Sequence, residues 1–389
     1  MTFSLDQLAL AYSDQLWLEF SPSEQEAAWP QEQDYSHDAA RWRAYLNRLC
    51  LNILVPALQQ EDPLKNLPQV WPHPATLPSI WEVVNGTAIT LGPHRIVIIP
   101  SVTIDTEEFC VPAEWVDIPS FAADYYLAVQ VNHYDGWLRV WGFTTHQKLK
   151  HEGTYDPSDR TYSLESEDLF ENLNVLWVAK ELCSEPKAEI QPLPKLSSTQ
   201  AERLLAKLGK PSRYSPRLLV GFAEWAALLE HGDWRQRLYQ QRQSQDPQPI
   251  PLVRLSQWLE QQFEAGWQSV ESLLNTQTME PALSFREAQT IVERAKSIDF
   301  SRVLLVVRVT PTTATEMKIV VAVQPSNGQT HLPAELELAL LDEDGASLMV
   351  VSGNSANKNM QLQFSGERGE KFSVKLTLGD VSVVENFVI

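Results

Sequence analysis

Between residues 302 and 389 the chain repeats one device seven times: a short run rich in alternating apolar and polar residues, then a cluster of turn formers. The runs are VLLVVRV, KIVVAVQ, AELELAL, SLMVVSG, MQLQFSG, KFSVKLTL and VSVVENFVI, divided by clusters such as QPSNGQ, LDEDGA, NSANKN and GERGE. A period of two sends successive side chains to opposite faces. In KFSVKLTL it turns Phe372, Val374 and Leu376 toward a core and Lys371, Ser373 and Lys375 toward water. Seven short strands at this spacing predict an immunoglobulin-like β-sandwich held without a disulfide.

The residues upstream read differently. Ser36 to Gln60 predicts a helix with Trp42, Tyr45, Leu46, Leu49, Ile53 and Leu54 on one face and Asp38 in its acidic first turn, kinked or ended by Pro56. A polar, proline-rich loop follows. From Ile80 to about Ala179 the pattern turns to short strands, the last of them NVLWVA, with LESEDLF as one acidic helical turn. Five or six strands predict a small antiparallel barrel-like sheet. The linker 181–198 leads to helices between about 199 and 243, and QSQDPQPIP reads as a loop. The spacing of Leu252, Leu255, Leu259, Phe263, Trp267, Val270 and Leu274 predicts one further amphipathic helix. The expected fold class is α+β in three parts: an acidic barrel-like domain over 1–182, a helical section over 183–280, and the seven-stranded sandwich over 281–389.

Charge divides unevenly along the chain. Of a formal net −19, residues 1–182 hold 10 Lys and Arg against 26 Asp and Glu, net −16. That half is unsuited to nucleic acid, whose phosphates need clustered cations. It suits solubility, or the electrostatic steering of a basic partner protein. Cys50, Cys110 and Cys183 cannot all pair, which fits reduced thiols in the cytoplasm. No apolar run is long enough to span a bilayer, and MTFSLDQLALAYSD lacks the basic n-region expected of a secretion signal.

The stretch DYYLAVQVNHYDGWLRVWGFTTHQKLK, residues 124–150, holds six aromatics and two histidines around one Asp-Gly. Asp135-Gly136 predicts a two-residue hairpin turn, with paired positions summing to 271; a four-residue loop shifts the register by two and keeps the faces. One face then carries Tyr125, Leu127, Val129, Val131, Leu138 and Val140. The other carries Tyr126, Ala128, Gln130, Asn132, Tyr134, Trp137, Arg139, Trp141 and Phe143. Trp137, Arg139, Trp141 and Phe143 are the candidate partner-binding residues, because Trp, Tyr and Arg are the usual anchors of binding hot spots. The same face can instead be covered by the chain itself or line a small-molecule groove; exposure of Trp141 and Arg139 decides.

Signs of catalysis are few. Neither GxGxxG nor GxxxxGK[ST] occurs, and no GxSxG, HExxH or EF-hand loop is present. Cys110 with His133, His146 and His151 makes a weak Cys/His constellation, since nothing in the spacing forces convergence. Asp156 and Asp159 could gather a cation but equally serve a turn. No metal or cofactor is expected.

The run VPAEWVDIPSFAADYYLAVQVNHYDGWLRVWGFTTHQKLK, with GTYDPSDRTY, DLFENLNVLWVA, RAYLNRLCLNILVPALQ, LSQWLEQQFEAGWQSVESLL and the ending QLQFSGERGEKFSVKLTLGDVSVVENFVI, resembles a cyanobacterial family catalogued as a domain of unknown function. The resemblance covers nearly the whole chain and supplies no catalytic residues. It implies soluble cytoplasmic proteins encoded beside alternative sigma factors, hence a regulatory, anti-sigma-like role. The function expected is a non-enzymatic regulatory or adaptor protein that binds a basic protein, a sigma factor in the sense the resemblance implies. The alternatives are a ligand-binding module for a small molecule or glycan and a Cys/His hydrolase.

Overall fold

The computed structural model describes residues 5–389 apart from 32–33, 62–65, 104, 183–185, 213, 244–251, 265, 271–272, 274–290, 299–302, 314, 327–329, 334–335, 354–356 and 379–380. The chain divides into two compact units, Met1–Gln248 and Pro249–Ile389. Cys183, Leu274, most of the QSQDPQPIP loop and the expected boundary at 280 lie outside the described residues.

The first unit opens with α1 (Leu5–Ala11), β1 (Leu16–Glu19), α2 (Pro22–Ala28), α3 (Asp38–Glu61), β2 (Gln69–Trp71) and α4 (Pro78–Trp81). Then come β3 (Thr87–Leu91), β4 (His94–Ser101), β5 (Glu108–Pro112), α5 (Glu114–Asp117), β6 (Tyr125–Asn132), β7 (Trp137–Thr145) and α6 (His146–Glu152). It closes with β8 (Thr154–Asp156), β9 (Thr161–Glu165), α7 (Leu173–Leu182), α8 (Ser198–Leu208), α9 (Phe222–Glu230) and α10 (Gly232–Gln243). The sheet is not a barrel. Six strands lie open in the order β1-β7-β6-β4-β3-β2, and β5-β9-β8 form a second, three-stranded sheet. Nor is the pairing wholly antiparallel: β4 and β6 run parallel, because β5 and α5 carry the chain across between them.

The helix expected from Ser36 is α3, and it runs through Pro56 to Glu61. It is buried on more than one side: Ala40 and Ala44 join the central core, while Trp42 and Tyr45 meet Trp29, whose ring stacks on Tyr45 at 4.2 Å. NVLWVA is not a strand. It lies in α7, whose Leu173, Leu176 and Trp177 are buried. Five apolar residues in a row satisfy both periods, and pairing partners rather than local pattern decide between them. The helices α8–α10 are not a separate section either. Leu204, Leu205, Trp225, Leu228 and Leu238 share one continuous core with Trp81, Val97, Trp115, Tyr126 and Trp141.

In the second unit all seven expected strands are present. They are preceded by β10 (Leu252–Arg254), α11 (Leu255–Trp258) and β11 (Val292–Ile298). The seven are β12 (Val303–Pro311), β13 (Glu316–Pro325), β14 (Glu337–Leu341), β15 (Ser347–Ser352), β16 (Met360–Glu367), β17 (Lys371–Leu378) and β18 (Val381–Val388). Two sheets form, β10-β18-β17-β14-β15 and β11-β12-β13-β16. Phe364 of β16 meets Phe372 of β17 edge-on at 5.0 Å across them, and Lys296 of β11 pairs with Glu385 of β18 at 2.8 Å. Among the described residues from 252 to 268, the long helix expected over 252–274 is replaced by β10 and the four-residue α11, with Gly266 at a positive φ of 93°. Its apolar spacing serves a different packing: Trp258 and Trp267 lie 5.0 Å apart, and Trp267 abuts Phe387 at 5.8 Å.

Candidate interaction surface

The aromatic hairpin is β6 and β7. Its loop is the four-residue alternative: Asn132 pairs with Trp137 and Gln130 with Arg139. The Asn132 side-chain oxygen accepts from the Tyr134 and Asp135 amides, and Gly136 takes φ 72°, a left-handed turn position that suits glycine. A bulge between Ala128 and Val129 on the β6 side leaves Trp141 as an extra residue on β7. From there the parity changes, so Phe143 lies opposite Leu127 and meets Tyr125 at 6.4 Å. The expected grouping of Phe143 with Trp141 is therefore corrected; a bulge reverses which face later residues occupy.

Both deciding residues are covered by their own unit. Arg139 is 9% exposed and Trp141 7%, with Phe143 at 1%. Arg139 donates to Gln130 at 2.6 Å and to Gln15 at 3.0 Å, and its guanidinium lies over the rings of Tyr12 and Trp17. The half-buried Trp137 meets Trp17 at 5.1 Å. β1 supplies this cover by pairing along β7. Trp141 instead meets Phe109 edge-on, so the two indoles face different neighbours rather than one groove.

The residues that could carry chemistry are engaged elsewhere. Cys110 is buried on β5. His146 donates from Nε2 to the Val116 carbonyl at 2.8 Å and accepts at Nδ1 from the Ala188 amide at 3.1 Å. Both ring nitrogens are thus occupied, and burial holds its pKa below the ordinary 6.5. His133 meets Trp42 edge-on and lies tilted against Tyr134. His151 is exposed. Asp156 accepts from the Ser158 amide and Asp159 from the Thr161 hydroxyl, which is turn chemistry. No group of His, Cys, Asp or Glu among the described residues is placed to hold a metal ion.

Two buried carboxylates stand out, each clasped by an arginine from beyond residue 198. Glu82 accepts from Arg242 Nε at 2.7 Å and from the Ser36 amide and hydroxyl. His37 lies beside it, its Nδ1 3.5 Å from Glu82. Arg43 can only donate, and its Nη2 faces His37 Nε2, so the His37 proton sits on Nδ1. Burial keeps His37 below its ordinary pKa and therefore neutral, leaving Arg242 as the permanent countercharge. Burial alone would raise Glu82, but the His37 hydrogen bond, the Arg242 charge and Ser36 hold it below the ordinary carboxylate value. Glu114 likewise stays below the ordinary carboxylate value against burial, paired with Arg217 at 2.7 Å and bonded by Trp225 Nε1 at 2.7 Å. These pairs bind α10 to the end of α4 and the 215–220 turn to α5.

What remains open lies between β9 and the end of α7. Glu107, Glu165, Glu167 and Glu171 are exposed, and Glu108 stands directly opposite Glu165 in the β5–β9 ladder. Like charges in that position repel. Lys148 is shared between Asp168 and Glu152, and Arg139 interacts electrostatically with Glu171. Phe170 is fixed by a pair of 2.9 Å backbone bonds to Phe143, yet its ring is 42% exposed. On α7, Val175, Val178 and Leu182 are 41%, 54% and 78% exposed. The sequence reading missed this surface because a strand over 174–179 puts those residues on alternating sides.

A family model described as Protein of unknown function (DUF1822) matches residues 18–388. No curated protein and no solved structure matches the chain significantly. No helix among the described residues is long and apolar enough to cross a membrane.

Proposed function

The chain belongs to this family of proteins of unknown function, and from that premise and its surface chemistry we propose that it is a non-enzymatic regulatory or adaptor protein that binds a basic protein in the cytoplasm. One observation carries the reading. The exposed glutamates at 107, 165 and 167 form no ion pair among the described residues, while Glu171 interacts electrostatically with Arg139, and an acidic face in excess of its cations attracts and orients a cationic partner. His37, His146 and the buried carboxylates that could act as bases are instead tied into the fold, which supports binding over catalysis. A cyanobacterial sigma factor, being a DNA-binding protein, is a partner of the right charge.

The second unit suits such a role as an interaction module. Counted from β12, its first, second and fifth strands share one sheet and its third, fourth, sixth and seventh the other. We infer an immunoglobulin-like arrangement, which differs from the constant-domain order in the sheet joined by the fourth strand.

Affinity capture on the immobilised full chain tests the function. One basic protein should be retained at about 0.05 M salt and released at about 0.5 M, where screening collapses to a few ångströms. The Glu165→Gln/Glu167→Gln/Glu171→Gln variant should lose it. Retention of the same protein at both salts, or by the variant, defeats the proposal.

A further inference from the structure

α7 is apolar on two sides. Leu173, Leu176 and Trp177 point into the first unit, and its C-terminal turn is tied to the sheet by His94, which donates to the Lys180 carbonyl at 2.9 Å. Val175, Val178 and Leu182 point outward. At about 100° per residue the three fall within an arc of roughly 60°, forming a narrow ridge along the helix. A helix apolar all round is normally enclosed, and contiguous exposed apolar side chains mark contact surfaces. Phe170 extends the apolar ground from the N-terminal end with Lys148 over its ring, and the exposed Glu165, Glu167 and Glu171 adjoin it along the chain.

Charge selects the occupant. The first unit carries 20 Lys and Arg against 33 Asp and Glu, and residues 249–389 carry 11 against 17. A second copy would bring net acid against this acidic face and is disfavoured by the sign of its charge. A basic element with an apolar stripe is complementary on both counts.

We propose that the outer ridge of α7, with Phe170 and the flanking glutamates, is the seat of a basic amphipathic helix of the partner protein. This deepens the reading of the chain as an adaptor and rests on it. The partner helix lays apolar residues at i, i+3 or i+4, and i+7 along Val175, Val178 and Leu182, as helix-in-groove recognition does. Its Lys and Arg residues gather at the end that reaches Glu165, Glu167 and Glu171. A cation there also relieves the opposition of Glu108 and Glu165.

The test uses the full chain and two labelled peptides of about 14 residues, long enough to overlap α7 from end to end. Both contain the same leucines and lysines, one in amphipathic order and one scrambled, and binding is read by fluorescence anisotropy at low salt. The amphipathic peptide should bind at least about ten-fold more tightly. Val178→Ser/Leu182→Ser, which leaves charge unchanged, should abolish that preference, while the triple glutamine variant should weaken both peptides. Far-UV circular dichroism of each variant shows that α7 is retained. If the two peptides bind alike and the serine variant changes nothing, the ridge is not the seat, although the acidic face still stands as a site. If neither peptide binds the native chain, the inference and the adaptor reading fall together.

Discussion

Arg242 has five N–H donors, and each meets an acceptor: Glu82, and the carbonyls of Leu208, Lys210, Ser212 and Tyr214. Arg242→Ala should therefore cost about 3–5 kcal/mol, because it strands a buried carboxylate; the urea midpoint of the first unit reports it. Arg242→Lys should recover little, since an ammonium keeps the charge but cannot span the four carbonyls. Gly86 is constrained differently. It sits at φ 116°, and a Cβ there would lie 2.6 Å from Trp115 Nε1 and 2.7 Å from Ile99 Cδ1. Gly86→Ala should destabilise by about 1–3 kcal/mol, measured by thermal unfolding. Neither role is legible in sequence. The Asn85-Gly86 pair announces a turn, but not the indole against it, and 160 residues separate Arg242 from Glu82.

At the scale of elements, local periodicity succeeded where each strand alternates cleanly, as in β17, and failed where an apolar run lacked alternation, as in α7. The hairpin shows a third case: Asp135-Gly136 located the turn, whereas the bulge that sends Phe143 to the other face depends on its neighbours in the sheet. The outward ridge was lost with the misread helix, while the surplus of acid was visible as composition. The cover over Arg139 comes from β1 at the sheet's edge. Deleting residues 1–20 should uncover Trp137 and Arg139 and free the hydrogen-bonding edge of β7. Increased binding of a hydrophobic dye, with oligomers on size exclusion, is the expected outcome; a monomer with unchanged dye binding would show that β1 is dispensable.

Across the whole molecule, acid stability follows from the groups held inside the first unit. Buried neutral His37 and His146 have pKa values below 6.5 in the fold, so the unfolded chain binds more protons and stability declines as pH drops below about 6.5. Glu82 and Glu114 are held below the ordinary 4.5. Their contribution is complete above that value and is lost as pH falls from about 4.5 toward 2. Tryptophan fluorescence in urea across this range should show the midpoint falling in both windows; a flat profile from pH 7 to 3 would contradict the buried pairs. The arginines that satisfy those acids arrive late in the chain. A fragment ending at 182 contains every strand of the six-stranded sheet and both carboxylates, but neither Arg217 nor Arg242. During synthesis the sheet strands leave the ribosome first, Glu114 without its counterion until the 215–220 turn follows and Glu82 until α10 does. The first unit is therefore completed from its rear, and a nascent chain halted before residue 242 is the form most in need of a chaperone.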